Sequence, residues 1–260
     1  IHAHSLYFGY LNYFIKSKIT KIFTPMGSDI ILDAENKMIY KHMAKKAYIG
    51  SDIITGDSML IQKKGYLYGA TKKENYVIQN GVDTKIFFPK KNDLRKTLNV
   101  HQNEILLFSP RALSPLYNIE IILYAIKILS DKNIKLRCMF TYAFGDEYTS
   151  NLKKISKKLN LETKLIWLGF KRYEEMAEIY NASDLVISIP SSDSSPKSVY
   201  EALLCKKPTI ISNLEWSYEF FGDPNSIFRI NKIDPKELAE KILYIIKKSN
   251  YKETVTQNSF

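Results

Sequence analysis

Three side chains in the second half of the chain have types and spacing suited to a phosphate-bearing ligand: Arg111, Asp193 and Glu201. Arg111 follows a short apolar run. From there a guanidinium can offer a two-pronged hydrogen bond to a diphosphate and offset charge that grows on a departing group. Asp193 and Glu201 stand on either side of Ser194, Ser195, Pro196, Lys197 and Ser198. Pro196 sits where a first helical residue belongs and Ser195 reads as its N-cap, so the loop presents N–H groups at a helix start. Such amides suit phosphate oxygens, whereas a carboxylate suits a pair of sugar hydroxyls. A nucleotide sugar alternates diol and diphosphate in this way. On these residues alone a bland reading stays open, with Glu201 a solvated acid and the serines an ordinary loop.

These residues need a scaffold, and the pattern supplies one. Leu185 to Ile189 reads as a strand, Pro190 to Ser195 as a polar loop, and Lys197 to Cys205 as a helix with Val199, Ala202 and Leu203 on one side. Thr209 to Ile211 is the next strand, which completes a parallel crossover unit whose loop lies at a strand's carboxyl end. Upstream, strands at Ile105–Ser109, Leu136–Thr141 and Lys164–Leu168 alternate with helices at Ile119–Leu129, Thr149–Leu159 and Tyr173–Ala182. A late amphipathic helix spans Lys236–Lys247. Repeated strand-then-helix units predict an α/β fold with a doubly wound parallel sheet. Gly169, after the third of these strands, lets backbone approach a flat ring closely.

The first part reads as a strand ending at His4, a helix over Leu6–Ile15 and a strand over Ile19–Phe23. Gly27 then permits a tight turn, and Ser28 or Asp29 can cap the segment after it. A helix over Lys37–Lys46, a strand over Tyr48–Thr55, a helix from Ser58 to Leu67 capped by Asp57 or Ser58, and a short strand at Val77–Ile78 complete it. The polar stretch Lys90 to Glu104 divides the chain into expected domains 1–92 and 93–260. His2 and His4 alternate along a strand without a third ligand nearby, and no D-x-D with apolar flanks or His/Cys cluster exists, so no metal site is expected.

Composition narrows the classes. The 260 residues are 45% apolar and 13% aromatic, which describes a folded chain. No run of about 18 uncharged apolar residues exists to cross a membrane, and the opening stretch lacks the features of a signal peptide. Cys138 and Cys205 are expected to be buried thiols in a reducing compartment. Lys+Arg 38 against Asp+Glu 27 gives a net charge of +11. That excess is dispersed and without a zinc-finger, RRM or KH pattern, so no nucleic acid is expected, while an anionic membrane surface or a phosphate-bearing substrate accounts for it. A non-catalytic binding module for anionic surfaces or nucleic acid is the alternative from another class.

Five segments in order then carry a family resemblance: Asn80-Gly81-Val82-Asp83 with Phe87 and Pro89; Ser109 to Arg111 with Asn118 and Ile119; Leu168-Gly169-Phe170; Ala182 to Leu185 with Pro190-Ser191; and Pro196 to Ala202 with Cys205 to Pro208. Together they resemble the retaining glycosyltransferases of the GT-B fold, glycosyltransferase family 4 (group 1). The resemblance implies two Rossmann-like doubly wound domains facing a cleft, the first N-terminally incomplete because the family's glycine-rich opening loop and first strands are missing. The chain is accordingly expected to be a fragment.

It further implies transfer of a sugar from a UDP- or GDP-linked donor to a hydroxyl of a bacterial surface glycan or lipid-linked acceptor, with no cofactor or metal. The location implied is cytoplasmic, peripheral at the inner face of the membrane. An inactive or donor-binding-only member is the alternative within the fold. By matching position, Glu201 holds the donor ribose, Arg111 meets the diphosphate, and Ser195, Pro196, Lys197, Ser198 and Val199 form the phosphate and sugar side of the loop. Gly169 and Phe170 lie where the base is received. Gly27, Ser28 and His4 stand on the acceptor side. Two positions depart from the pattern. Asp193 replaces a glutamate, and is expected to orient donor-sugar hydroxyls or the developing charge. Tyr117 replaces a lysine that assists the arginine, which leaves the diphosphate one positive partner fewer unless Lys197 or Arg172 compensates.

Overall fold

The computed structural model describes residues 1–72, 74–143, 145–219 and 226–248. The expected second domain therefore runs at its end into residues outside the described ones. The chain forms two compact units. The first comprises Ile1–Gly81 together with Ser192–Lys197 and the turn Glu215–Tyr218. The second comprises Val82–Ser191 and Ser198–Asn213, with the strand and helix that close the described chain.

The first unit carries β1 (His2–His4), α1 (Ser5–Phe14), β2 (Ile22–Thr24), α2 (Ala34–Asn36), α3 (Met38–Ile49), β3 (Ile53–Gly56), α4 (Met59–Leu67) and β4 (Glu74–Val77). Its four strands form a parallel sheet in the order β1-β2-β3-β4. Phe23, Ala44, Ala47, Tyr48, Ile54 and Ile61 build the core. Here the structure corrects the expected strand over Tyr48–Thr55: Tyr48 and Ile49 end α3, and extended backbone begins only at Ile53. The Tyr48 ring packs edge-on to Phe23 at 5.1 Å, so tertiary burial overrides the β preference of an aromatic residue. Ser58, not Asp57, caps α4, its Oγ accepting from the Ile61 N–H at 3.3 Å.

The Asp29 carboxylate reaches back to accept the Leu6 N–H at 2.7 Å and the Met26 N–H at 3.0 Å. It thereby fixes the start of α1, where Ser5 is held at φ 70, together with the loop after β2. A left-handed turn at a non-glycine residue persists only where surrounding contacts over-determine it.

The second unit carries α5 (Leu94–Thr97), β5 (Ile105–Ser109), α6 (Ile119–Asp131), β6 (Leu136–Thr141), α7 (Glu147–Lys158), β7 (Leu165–Gly169), α8 (Tyr173–Ala182), β8 (Leu185–Ser188), α9 (Lys197–Leu204), β9 (Thr209–Ser212), β10 (Ile227–Ile230) and α10 (Pro235–Lys248). Its six parallel strands run β10-β9-β8-β5-β6-β7. The alternation of β5 shows why both faces are covered. Leu107 packs in the cluster with α6 and α10, while Leu106 and Phe108 pack in the cluster with α8. Buried on both sides, such strands read as continuous apolar runs.

Arg95 on α5 donates to the Asp184 carboxylate at 3.0 Å, and the same oxygen accepts the Leu106 N–H at 2.7 Å. The Lys90 N–H bonds Asn181 Oδ1 at 2.9 Å, so the polar stretch after Pro89 is packed against the second unit. Cys138 and Cys205 are buried free thiols, and burial pushes the Cys205 thiol up to about 11. Among the described residues no helix is long and apolar enough to cross a membrane.

Asp29→Ala removes the acceptor for the Leu6, Met26 and Ile30 N–H groups and is expected to cost about 1–3 kcal/mol, read by denaturant unfolding. Burial pushes the Asp29 carboxyl above its ordinary range, against the N–H bonds from Leu6, Met26 and Ile30. A raised folded-state value means the group's contribution is full below the ordinary carboxylate range and is lost as pH rises through the raised one. Measured against Asp29→Asn, wild-type stability is therefore expected to fall over that interval.

Candidate functional site

In the second unit the chain runs from β5 to β6 and β7 on one side, then resumes at β8 on the other side of β5. The loops leaving β5 and β8 diverge there, and at such a switch point open α/β sheets bind ligands. Arg111 lies in the first loop, and the helix carrying Ser198 and Glu201 comes after the second. Asn118 ties the loops together. With φ 54 at the start of α6, it donates from Nδ2 to the Ile189 carbonyl at 2.8 Å and to Ser191 Oγ at 2.9 Å. The Ser191 N–H returns a bond to the Leu116 carbonyl at 2.9 Å.

On this frame Arg111 Nη1 donates to Ser198 Oγ at 3.0 Å, and its guanidinium lies 4.3 Å from the centroid of the Tyr117 ring. Tyr117, standing where the family pattern has a lysine, thus supplies an aromatic face that orients the arginine through a cation–π contact. Arg172 is engaged elsewhere, in a capping arrangement with Glu175 at the start of α8.

Glu201 is 7% exposed, which excludes its reading as a solvated surface acid. Its Oε2 lies 2.9 Å from the Tyr180 hydroxyl, which is also 3.0 Å from the Ser198 carbonyl. Burial first, then the Glu201 charge, push the Tyr180 phenol well above its ordinary value, so it stays a donor. Arg111 and Glu201 consequently meet through one residue, Ser198, with Tyr180 between that residue and the carboxylate. Nothing in the sequence marked Tyr180; only the fold reveals it under Glu201.

Of the other predicted residues, Gly169 ends β7 at φ +68 with open space where a side chain would project, and Phe170 is 68% exposed beside it. Val199 is fully buried, so its side chain packs in the interior; Pro196 is buried and Lys197 exposed.

In the first unit the carboxyl ends of the strands surround a cavity of about 600 Å³. That is within the roughly 300–1,000 Å³ of small-molecule sites. His4, Asp193 and Ser195 line it. Gly27, at φ +96, lies against Ser194, whose Oγ would be 2.8 Å from any added Cβ. Ser28 makes no side-chain cap and does not line the cavity. Sequence reasoning placed Asp57 at a helix start only; it also lines the cavity and accepts from Ser194 Oγ at 2.9 Å. Burial, opposed by the Ser194 bond and assisted by the Asp193 charge, raises its carboxyl above the ordinary range. His2 Nε2 lies 2.7 Å from Thr24 Oγ1. Among the described residues no group of three or more His, Cys, Asp or Glu could hold a metal ion.

The profile of the family described as glycosyl transferases group 1 matches residues 90–260. An uncharacterised glycosyltransferase of Methanocaldococcus jannaschii is 26% identical over 262 residues, which span 99% of this chain and 68% of that protein. Anabaena HepE, solved in complex with UDP-glucose, superposes with a TM-score of 0.80 at 20% identity, over 96% of this chain and 70% of that one. Sucrose-phosphate synthase from Thermosynechococcus elongatus gives 0.81 at 17% identity, over 99% and 68%. The chain spans 68%, 58% and 50% of three curated relatives. At these identities the structural likeness establishes the fold, two Rossmann-like α/β domains of GT-B architecture. The chain belongs to the glycosyl transferases group 1 family.

Proposed function

We propose that the protein transfers a sugar from a nucleotide-sugar donor, UDP- or GDP-linked, to an acceptor hydroxyl with retention of anomeric configuration. The observation that carries this reading is the second unit's linked set of Arg111, Ser198, Tyr180 and Glu201 at the switch point of its sheet. A fixed guanidinium beside a helix start suits a diphosphate, and a buried carboxylate suits the paired hydroxyls of a ribose. The UDP-glucose complex of Anabaena HepE, similar in fold, favours UDP as the handle.

In this scheme Glu201 holds the ribose, and Ser198 with the neighbouring residues from Ser195 faces the phosphates. Gly169 leaves room for the flat base, with Phe170 as an exposed neighbour. Arg111 offsets negative charge as the sugar–phosphate bond breaks and the nucleoside diphosphate leaves. Attack from the same face, with the leaving phosphate receiving the acceptor proton, gives retention without a covalent intermediate. Asp193 orients hydroxyls of the transferred sugar, and His4, Gly27 and Ser28 belong to the acceptor side. A bacterial surface glycan or lipid-linked acceptor beside the inner face of the cytoplasmic membrane fits the net charge of +11.

Glu201→Ala is expected to weaken UDP binding about 10- to 100-fold in a calorimetric titration; unchanged affinity would exclude the ribose role. Tyr180→Phe, which deletes only the hydroxyl beside Glu201, should weaken it by about tenfold. Arg111→Ala should lower turnover at saturating donor by about 10²–10³-fold. A rate equal to wild type there would contradict its part in leaving-group departure.

A further inference from the structure

Position 117 carries a tyrosine where the family pattern has a lysine, and its surroundings show what the ring does there. Tyr117 closes a single tight turn, Pro115–Tyr117, whose first residue has its φ set by the proline ring. The Tyr117 N–H donates to the Ser114 carbonyl at 3.0 Å and the Asn118 N–H to the Pro115 carbonyl at 3.2 Å, so the backbone under the ring is bonded on both sides. Asn118 then ties that turn to Ile189 and Ser191. The ring is partly buried and packs against the apolar cluster that includes Leu113, Ile119 and Ile189. Backbone and packing together fix its place before any ligand arrives.

The Arg111 guanidinium carbon lies over this ring, 4.3 Å from its centroid, inside the roughly 6 Å at which a cation–π attraction is felt. Its Nη1 donates to Ser198 Oγ at 3.0 Å. A single hydrogen bond leaves a long side chain able to swing about the bonded atom, and the ring restrains that swing. A lysine in the same place would act in the opposite sense. Two neighbouring cations repel one another until an anion comes between them, so the ligand itself must order the pair. A guanidinium is attracted to an aromatic face without any ligand, and order established beforehand is not subtracted from the affinity. The Arg111 charge also reaches Tyr180, where it opposes the rise that burial and Glu201 cause in the phenol.

We propose that Tyr117 is a positioning residue for the nucleoside diphosphate: its ring pre-organises Arg111 in the free protein, so that orientation stands in for the charge of a second cation. The inference deepens the transferase reading and rests on it for the identity of the anion. What position 117 must supply is an aromatic face, neither a hydroxyl nor a positive charge.

The test uses the full chain and compares Tyr117→Phe, Tyr117→Leu and Tyr117→Met, each alone and together with Arg111→Ala. Calorimetric titration of UDP and GDP reads diphosphate binding. For the nucleotide that the wild type binds more tightly, Tyr117→Phe is expected to stay within about threefold of wild type, and Tyr117→Leu and Tyr117→Met to bind about 5- to 30-fold more weakly. In the Arg111→Ala background the Leu and Met substitutions should add less than about twofold, because the ring acts through the guanidinium. A role in loop folding alone would weaken binding equally in both backgrounds. The flexible methionine keeps the comparison available should Tyr117→Leu fail to fold. Three results would overturn the inference: binding unchanged in a folded Tyr117→Leu or Tyr117→Met, a loss of equal size without Arg111, or Tyr117→Phe as weak as Tyr117→Leu.

A second readout needs no nucleotide. The Arg111 side-chain resonances, assigned by their loss in Arg111→Ala, are expected to show an upfield ring-current shift in the free wild type and in Tyr117→Phe, and to lose it in Tyr117→Leu. Resonances without that shift, or with a shift that arises only when nucleotide is added, overturn the pre-organisation. If neither UDP nor GDP binds while the shift is present in the free protein, the transferase reading falls and the placement of Arg111 by Tyr117 stands. Nucleotide binding without the shift sinks this inference alone.

Discussion

The side-chain amide of Asn118 holds the second unit's candidate site in register. Two loops leave neighbouring strands in opposite directions, and without a cross-tie their ends would be set only by the sheet beneath. The bonds from Asn118 to Ile189 and Ser191, answered by the Ser191 N–H to Leu116, make those ends one body. Arg111 and Tyr117 hang on one side of that tie and α9 begins beyond the other. Arg111 Nη1 and Ser198 Oγ stand 3.0 Å apart across it. An asparagine suits the place because it tolerates left-handed backbone while keeping two donors and an acceptor in a short, stiff side chain.

Below that tie the polar groups are buried in an order that leaves few alternatives. Ser198 is touched through its hydroxyl by Arg111 and through its carbonyl by Tyr180, and Tyr180 in turn reaches Glu201. A buried network of this kind is costly when partly satisfied and specific when complete. The first unit is built differently. Its cavity is framed by strand ends and by the turn at Gly27, and Asp29 holds that turn to the start of α1. Precision in the second unit comes from side-chain bonds around a single residue, and in the first from backbone placed by a carboxylate.

How much of this was legible in the sequence varied with the physics of each stretch. The strands β5 and β6 and the helix α8 are legible to the residue because Ile105–Ser109 and Leu136–Thr141 are apolar runs of strand length and Tyr173–Ala182 has acids at its start. Tyr48 misleads because its ring looks like a strand residue, and only its contact with Phe23 decides for a helix. The strand Ile227–Ile230 escapes the pattern altogether, being four residues at the sheet edge with Arg229 among them. Arg111 and Glu201 can be picked out by type and position. Their common partner Ser198, the phenol of Tyr180 and the placement of Asp57 depend on contacts between distant segments, which no local pattern encodes.

Gly27 and Ser194 illustrate what such a contact imposes. No methyl group fits between them, and the backbone at Gly27 is already turned to φ +96. A side chain at position 27 would push back the serine that grips Asp57. Shrinking position 194 would relieve that clash but not the backbone, which a residue with a Cβ rarely adopts. Glycine is therefore required at position 27 on two independent counts, and a smaller neighbour can lift only one of them.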